Sequence, residues 1–144
     1  MNYINAIWIF LALFISFATS AQDLKKYQWK NRIILLKDIR FDSDKLQDQL
    51  DLLHVNTEKL EARDLLIFIV TDESVFDNSK IKTKLNSSSI IKKYGLADFN
   101  GLVLVGKDGG VKLKESFIVN PKTIYNLIDS MPMRQAEMRS SSKH

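Results

Sequence analysis

The stretch GLVLVGKDGGVKLK (residues 101–114) carries the clearest structural pattern in the chain. Residues 101–106 form an aliphatic run bounded by glycines, which predicts a strand buried on both faces. Residues 111–114 alternate apolar and charged side chains, as in a strand with one face towards water, and lysines suit the edge of a sheet. The turn between the two strands consists of Lys107, Asp108, Gly109 and Gly110. Because an Asp-Gly pair tolerates the positive φ angles of a tight turn, the stretch predicts a β-hairpin.

Two more aliphatic runs lie upstream of this hairpin, at residues 33–36 (IILL) and 65–70 (LLIFIV). Their length and continuity predict two further buried strands. Between them, Ser43 is suited to cap a helix, and a stripe of four leucines and Thr57 recurs at steps of four and three from Leu46 to Leu60. This spacing predicts one long helix, so the first half of the chain reads as a strand–helix–strand unit.

The remaining segments predict helices joined by loops. Residues 73–80 read as a loop, and Ile81 with Leu85 indicates at least one helical turn. The serines at 87–89 are suited to cap a helix over residues 90–94, and Gly95 is suited to end it, so this region forms either one interrupted helix or two short ones. After the hairpin, Asn120 and Pro121 open another helix, as cap and first helical residue. The predicted order is β-α-β-α-β-β-α, a three-layer α/β sandwich with a mixed central sheet and a short C-terminal helix.

The N-terminus predicts export. Residues 6–15 are continuously apolar, and the small residues at 18–21 precede polar Gln22. This pattern is typical of a signal peptide spanning residues 1–21, and the run is shorter than a membrane span. A Sec-type signal gives a periplasmic or secreted protein with no membrane attachment after cleavage. The predicted organisation is one domain over residues 22–139 and a disordered tail at residues 140–144.

Composition excludes several chemistries. The net charge of +4 is modest and spread along the chain, which argues against a nucleic-acid surface. The chain contains no cysteine, so dithiol redox catalysis, cysteine nucleophiles and thiolate metal sites are excluded. Of its two histidines, His54 falls within the first predicted helix and His144 is the last residue, so no catalytic triad is indicated. We expect no catalytic residues and no cofactor.

Several local motifs together point to a known family. One is GKDGGVKLK (residues 106–114), and another is IDSMPMRQAEM (residues 128–138). Others precede the first two strands, namely Trp29, Arg32, Arg63 and Asp64. Over residues 24–139 the chain resembles the bacterial family called domain of unknown function 4174, or P-DUDES. Its relatives include a domain of sushi-repeat-containing extracellular-matrix proteins.

The resemblance implies a thioredoxin-like fold with an affinity to peroxiredoxin-like proteins. It also shows where this chain departs from redox members of that fold. The loop at residues 37–42 has no cysteine where a thioredoxin carries its dithiol, and Asn100 stands where thioredoxins place a proline. Fold alone therefore does not deliver a redox function.

Two charged pairs are candidates for an interaction or ligand site. Arg40 and Asp42 lie in the loop at the carboxyl end of the first strand, where open α/β sheets commonly bind ligands. Arg134 and Glu137 are three residues apart on the C-terminal helix and are spaced to form an ion pair. Arg134 can equally donate a hydrogen bond to an acceptor elsewhere in the fold.

Apart from the first residue, all the methionines lie in one window, as Met131, Met133 and Met138. Thioether sulfurs suit Cu(I), which makes these residues candidate metal ligands. Against this, Pro132 ends one helix and starts another. On that new helix Met133 and Met138 are five residues apart, which places them on different faces. The alternatives are a partner surface, or a structural clasp in which Met131 and Met138 fill the seam between helix and sheet.

The sequence thus predicts an exported, non-redox binding or interaction module, whose partner is an unknown protein or small molecule. One alternative is an enzyme or redox-related protein of the peroxiredoxin-like branch that works without a catalytic cysteine. The other is a periplasmic copper-handling protein that uses the methionine cluster. The sequence does not define the oligomeric state.

Overall fold

The computed structural model describes residues 23–143, so the predicted signal peptide lies outside the described residues. The strands are β1 (Arg32–Lys37), β2 (Leu65–Val70), β3 (Val75–Asp77), β4 (Gly101–Val105) and β5 (Val111–Glu115). The helices are α1 (Asp44–His54), α2 (Thr57–Glu61), α3 (Ser87–Tyr94), α4 (Pro121–Asp129) and α5 (Pro132–Ser141). A 3₁₀ turn, Leu24–Tyr27, precedes β1. Within residues 23–143, no helix has the length and apolar character needed to cross a membrane.

The strands form one mixed sheet in the order β3-β2-β1-β4-β5. Strands β1 and β2 are parallel, and the other neighbours are antiparallel. Side chains of β1 alternate between two cores, since Ile34 joins α1, α2 and α4 on one face while Ile33 joins α3 on the other. Helices therefore cover both faces of the sheet, which confirms the predicted three-layer sandwich and the predicted burial of β1 on both sides.

The hairpin between β4 and β5 follows the prediction. The Gly106 N–H donates to the carbonyl oxygen of Gly110 (2.9 Å), and the Gly109 N–H donates to that of Gly106 (2.9 Å). Gly109 has φ 84°, a left-handed conformation that glycine adopts without steric cost. Strand β5 lies at the edge of the sheet with Lys112 and Lys114 exposed, as charged edge strands do.

The predicted single helix between β1 and β2 is wrong, because two helices occupy that segment. Helix α1 ends at His54, and Asn56 then caps α2 by accepting a hydrogen bond from the Lys59 N–H (3.1 Å). An asparagine in that position competes with helix continuation by bonding the backbone ahead of it. The leucine stripe nevertheless continues across the break, since Leu53 and Leu60 are buried in the same core.

The segment after β2 also differs from its prediction. Instead of a loop, residues 75–77 form β3, which pairs antiparallel with the end of β2. Ile81 belongs to no helix; it is 64% exposed, and its N–H donates to the Asp77 carboxylate (2.9 Å). Leu85 is buried, but α3 begins only at Ser87 after a cap by Asn86. Gly95 ends that helix with φ 63°, as predicted.

The two C-terminal helices start at the predicted prolines. Asn120 caps α4 by accepting from the Lys122 N–H (2.9 Å), and Pro132 is the first residue of α5. Helix α5 runs on through Ser140 and Ser141, which were predicted to be disordered. Both serine hydroxyls donate to the Glu137 carbonyl oxygen (2.7 and 3.0 Å), so they bond back to the helix instead of fraying from it.

Candidate functional site

Charged side chains from four parts of the chain meet at the end of the sheet where β1 and β2 begin. We call this cluster the amino-end network: Arg32, Arg63, Asp64, Lys107, Asp129, Arg134 and Glu137. Six of these residues were singled out in the sequence; Asp129 was not. The sequence showed them as separate motifs, and the fold brings them into contact.

Glu137 holds the centre of the amino-end network. Its two carboxylate oxygens accept from Nη1 and Nη2 of Arg32 (both 3.2 Å), and Oε1 also accepts from Lys107 Nζ (2.8 Å). Arg32 is only 1% exposed, so the Glu137 carboxylate has to compensate its buried positive charge. Burial alone would raise the pKa of Glu137, but the hydrogen bonds and charges of Lys107 and Arg32 outweigh it and lower that pKa.

Asp129, at the end of α4, links Arg63, which follows α2, to Arg134 of α5. Arg63 Nε donates to Asp129 Oδ1 (3.0 Å), and Arg134 Nε lies 3.4 Å from the same oxygen. Arg134 Nη1 is also 3.5 Å from Glu137 Oε2, so the predicted pair exists as one contact among several. Burial raises the pKa of Asp129, yet bonds from Arg63 and Arg134 lower it overall.

Two motif residues shape the backbone around this network. Trp29 (φ 67°) and Asp64 (φ 50°) both adopt the left-handed conformation, which is uncommon outside glycine. The Trp29 N–H donates to the Lys107 carbonyl oxygen (2.6 Å), and the Asp64 carbonyl oxygen accepts from the Arg32 N–H (2.9 Å). The Asp64 carboxylate also binds Lys107 Nζ (2.7 Å). These two turns fix the hairpin and both parallel strands relative to one another.

The methionines do not share one environment. Met131 packs against the core, as the clasp hypothesis predicted. Met138 was predicted to pack there too, and that prediction is wrong, since it is 38% exposed; Met133 is 41% exposed. Helix α5 has no buried residue within its described length and meets the body of the protein through Arg134 and Glu137 instead. Residues 23–143 also contain no cluster of three or more His, Cys, Asp or Glu side chains suited to a metal ion.

Arg40 and Asp42 lie at the opposite end of the sheet, far from Arg134 and Glu137 in the topology. They pair with each other: Arg40 Nε and Nη2 donate to the two oxygens of Asp42 (3.0 and 3.1 Å). Both side chains are more than 70% exposed, and the arginine's hydrogen bonds and charge lower the pKa of Asp42. Exposed pairs of this kind contribute little to stability.

A buried ion pair at the same end was missed by the sequence analysis. The side chain of Lys37, the last residue of β1, is 0% exposed, and its Nζ lies 2.9 Å from Oδ1 of half-exposed Asp72. That ammonium forms no well-aligned hydrogen bond with any residue in the described part of the chain. The sequence does hold an indication of this pair, because Lys37 and Asp72 each follow an aliphatic run, and the two parallel strands end side by side.

A groove of about 460 Å³ lies between the α1–α2 segment and α4. Its lining carries three cations, Lys59, Arg63 and Lys122, and no carboxylate. The Arg63 guanidinium also lies 4.8 Å from the ring centre of Tyr125. Burial raises the pKa of that tyrosine, and the arginine's charge opposes the shift. None of the predicted ligand residues, Arg40 and Asp42 included, lines this groove.

Comparisons with solved structures define the fold class. A reduced 2-Cys peroxiredoxin of Plasmodium vivax superposes with a TM-score of 0.55 and 17% identity, covering 84% of this chain and 85% of that one. Thioredoxin peroxidase I of Plasmodium yoelii gives 0.55 and 16%, covering 78% and 79%. The chain therefore has a thioredoxin-like α/β fold, as the sequence motifs implied.

The family follows from the sequence itself. A model of the family described as Domain of unknown function (DUF4174) matches residues 23–137, and the chain belongs to that family. Among curated proteins none matches significantly. The fold and the family predicted from the sequence motifs are thus both confirmed.

Proposed function

We propose that this chain is an exported, non-redox binding module built on the thioredoxin-like fold. One observation carries the proposal: the end of β1, where thioredoxins carry cysteines, holds an ion pair and no thiol. Lys37 is buried against Asp72, and the following loop carries the exposed Arg40–Asp42 pair. The chain has no cysteine anywhere in its sequence. Thiol-based peroxide or disulfide reduction has no nucleophile here.

The proposed export rests on the N-terminal sequence. The apolar run at residues 6–15 and the small residues at 18–21 form a Sec-type signal, with cleavage after Ser20 or Ala21. Cleavage there leaves the thioredoxin-like domain from its first described residues onward. The absence of cysteine then means that the exported domain is stabilised by packing and ion pairs, with no disulfide.

The purified domain is expected to show no peroxide consumption and no disulfide reduction. The assay follows hydrogen peroxide loss in the presence of a dithiol reductant, and the reduction of a model protein disulfide. Rates should equal those of the heat-denatured sample, because the chain supplies no thiolate. Reproducible turnover by the folded domain that is lost on denaturation would contradict the proposal.

The second candidate is an enzyme or redox-related protein that acts without a cysteine. The likeness to a 2-Cys peroxiredoxin and a thioredoxin peroxidase is the observation in its favour, although at 16–17% identity it reaches no further than the fold. Copper handling has less support, because Met131 packs on the core while Met133 and Met138 are exposed. A turnover that survives metal chelation in the assay above would favour the enzyme.

A further inference from the structure

We infer that the groove between the α1–α2 segment and α4 binds an acidic peptide segment of a partner protein. The inference rests on the proposed binding function and names its surface and its ligand class. Three features of the groove support it: cations without counter-ions, amide donors without acceptors, and exposed aliphatic side chains.

Two of the three cations of the groove are not neutralised by the protein. Lys59 and Lys122 are exposed, and neither forms an ion pair with any residue in the range 23–143. The third cation, Arg63, is paired with Asp129 at the groove's inner end. In the amino-end network, by contrast, every cation faces a carboxylate. The uncompensated charge gives the groove a positive potential that attracts carboxylates.

Two asparagines add hydrogen-bond donors to this positive surface. The Oδ1 atoms of Asn56 and Asn120 are engaged as helix caps, accepting from the N–H groups of Lys59 (3.1 Å) and Lys122 (2.9 Å). Their amide NH₂ groups have no acceptor among the described residues, so both asparagines keep donors free for a ligand. With the two ammonium groups, the groove is complementary to a ligand rich in acceptors, such as carboxylates and peptide carbonyls.

Aliphatic exposure in the groove favours a peptide over an acidic polysaccharide. Val55 is 81% exposed and Leu52 is 41% exposed, and both line the groove beside Pro121. Sugars commonly stack on open aromatic faces, but the aromatic residue lining this groove, Tyr125, is 7% exposed and lies under Arg63. A segment that combines acidic and aliphatic side chains matches both the charge and the apolar surface.

The test uses a fluorescein-labelled peptide in which Glu alternates with Leu, and an analogue with Gln in place of Glu. Binding to the whole domain is followed by fluorescence anisotropy. The Lys59→Gln/Lys122→Gln variant should bind the Glu peptide about tenfold more weakly, since two exposed ion pairs are lost. The matched variant Lys84→Gln/Lys92→Gln removes the same charge on and beside α3, across the sheet, and should bind like the wild type. Val55→Ser should also weaken binding.

Several results would overturn the inference. They are no binding of the Glu peptide, equal binding of the Gln analogue, equal losses in both double variants, or a uronic-acid oligosaccharide that binds more tightly and competes at the same lysines. The outcome is separable from the proposed function, because the peroxide and disulfide assays do not depend on the groove. If the domain shows no turnover and does not bind the peptide, the non-redox proposal stands and the proposed binding groove is refuted.

Discussion

Replacing Glu137 with alanine is expected to lower the free energy of unfolding by about 3 kcal/mol, because it leaves a buried arginine without its counter-ion. The Glu137 carboxylate accepts hydrogen bonds from both terminal nitrogens of Arg32, whose side chain is 2% exposed, and from Lys107 Nζ. These contacts also hold α5, a helix with no buried residue of its own, against the rest of the domain. Chemical denaturation followed by circular dichroism measures the loss.

The matched control is Glu61→Ala in α2, an exposed helical glutamate that forms no ion pair with described residues. It should change the free energy of unfolding by less than about 0.5 kcal/mol. The effect of Glu137 should also depend on pH. Since the folded-state pKa of Glu137 lies below its ordinary 4.5, its stabilisation is present above that value and is lost as the pH falls through the folded-state pKa. Equal losses in both variants would contradict the assigned role of Glu137.

The second large effect concerns the buried lysine at the other end of the sheet. Asp72→Ala should lower the free energy of unfolding by about 3 kcal/mol, because it leaves the fully buried ammonium of Lys37 without a nearby anion. Lys37→Met should cost less, because the half-exposed Asp72 carboxylate it leaves behind can be hydrated. Urea denaturation of the single variants and the double variant gives the pairwise coupling.

The double variant Lys37→Met/Asp72→Ala should therefore be more stable than Asp72→Ala alone. Glu73→Ala serves as the control, since it removes an exposed neighbouring carboxylate that has no ion pair among the described residues. A result in which Asp72→Ala is no worse than Glu73→Ala would show that Lys37 does not need Asp72.

Local patterns were sufficient for most of the fold. The aliphatic runs of β1, β2 and β4 and the Asp-Gly turn were recognisable because their determinants lie within a few residues of sequence. Strand β3 was not recognisable, since its three residues become a strand only through pairing with the end of β2. The break at Asn56 was missed because the leucine spacing continues through it while the asparagine caps a new helix.

The candidate sites were harder to predict for the same physical reason. Arg32 and Glu137 were each noted, but they are 105 residues apart in sequence, and only the tertiary fold places them in contact. The sequence places Lys37 in the loop at residues 37–42, because no neighbouring residue distinguishes an exposed loop lysine from a buried lysine at the end of a strand. Two of the groove cations, Lys59 and Lys122, were also missed, since only the packing of α2 beside α4 brings them to one groove.

The most direct test of the account is a two-dimensional amide NMR titration of the domain with the Glu–Leu peptide. The account predicts that the largest chemical-shift changes fall in residues 52–59 and 120–126, which line the groove. Changes concentrated instead in residues 39–42 and 71–74 would place binding at the carboxyl end of β1, where thioredoxins carry their dithiol. That result would contradict a binding module that uses its helical groove.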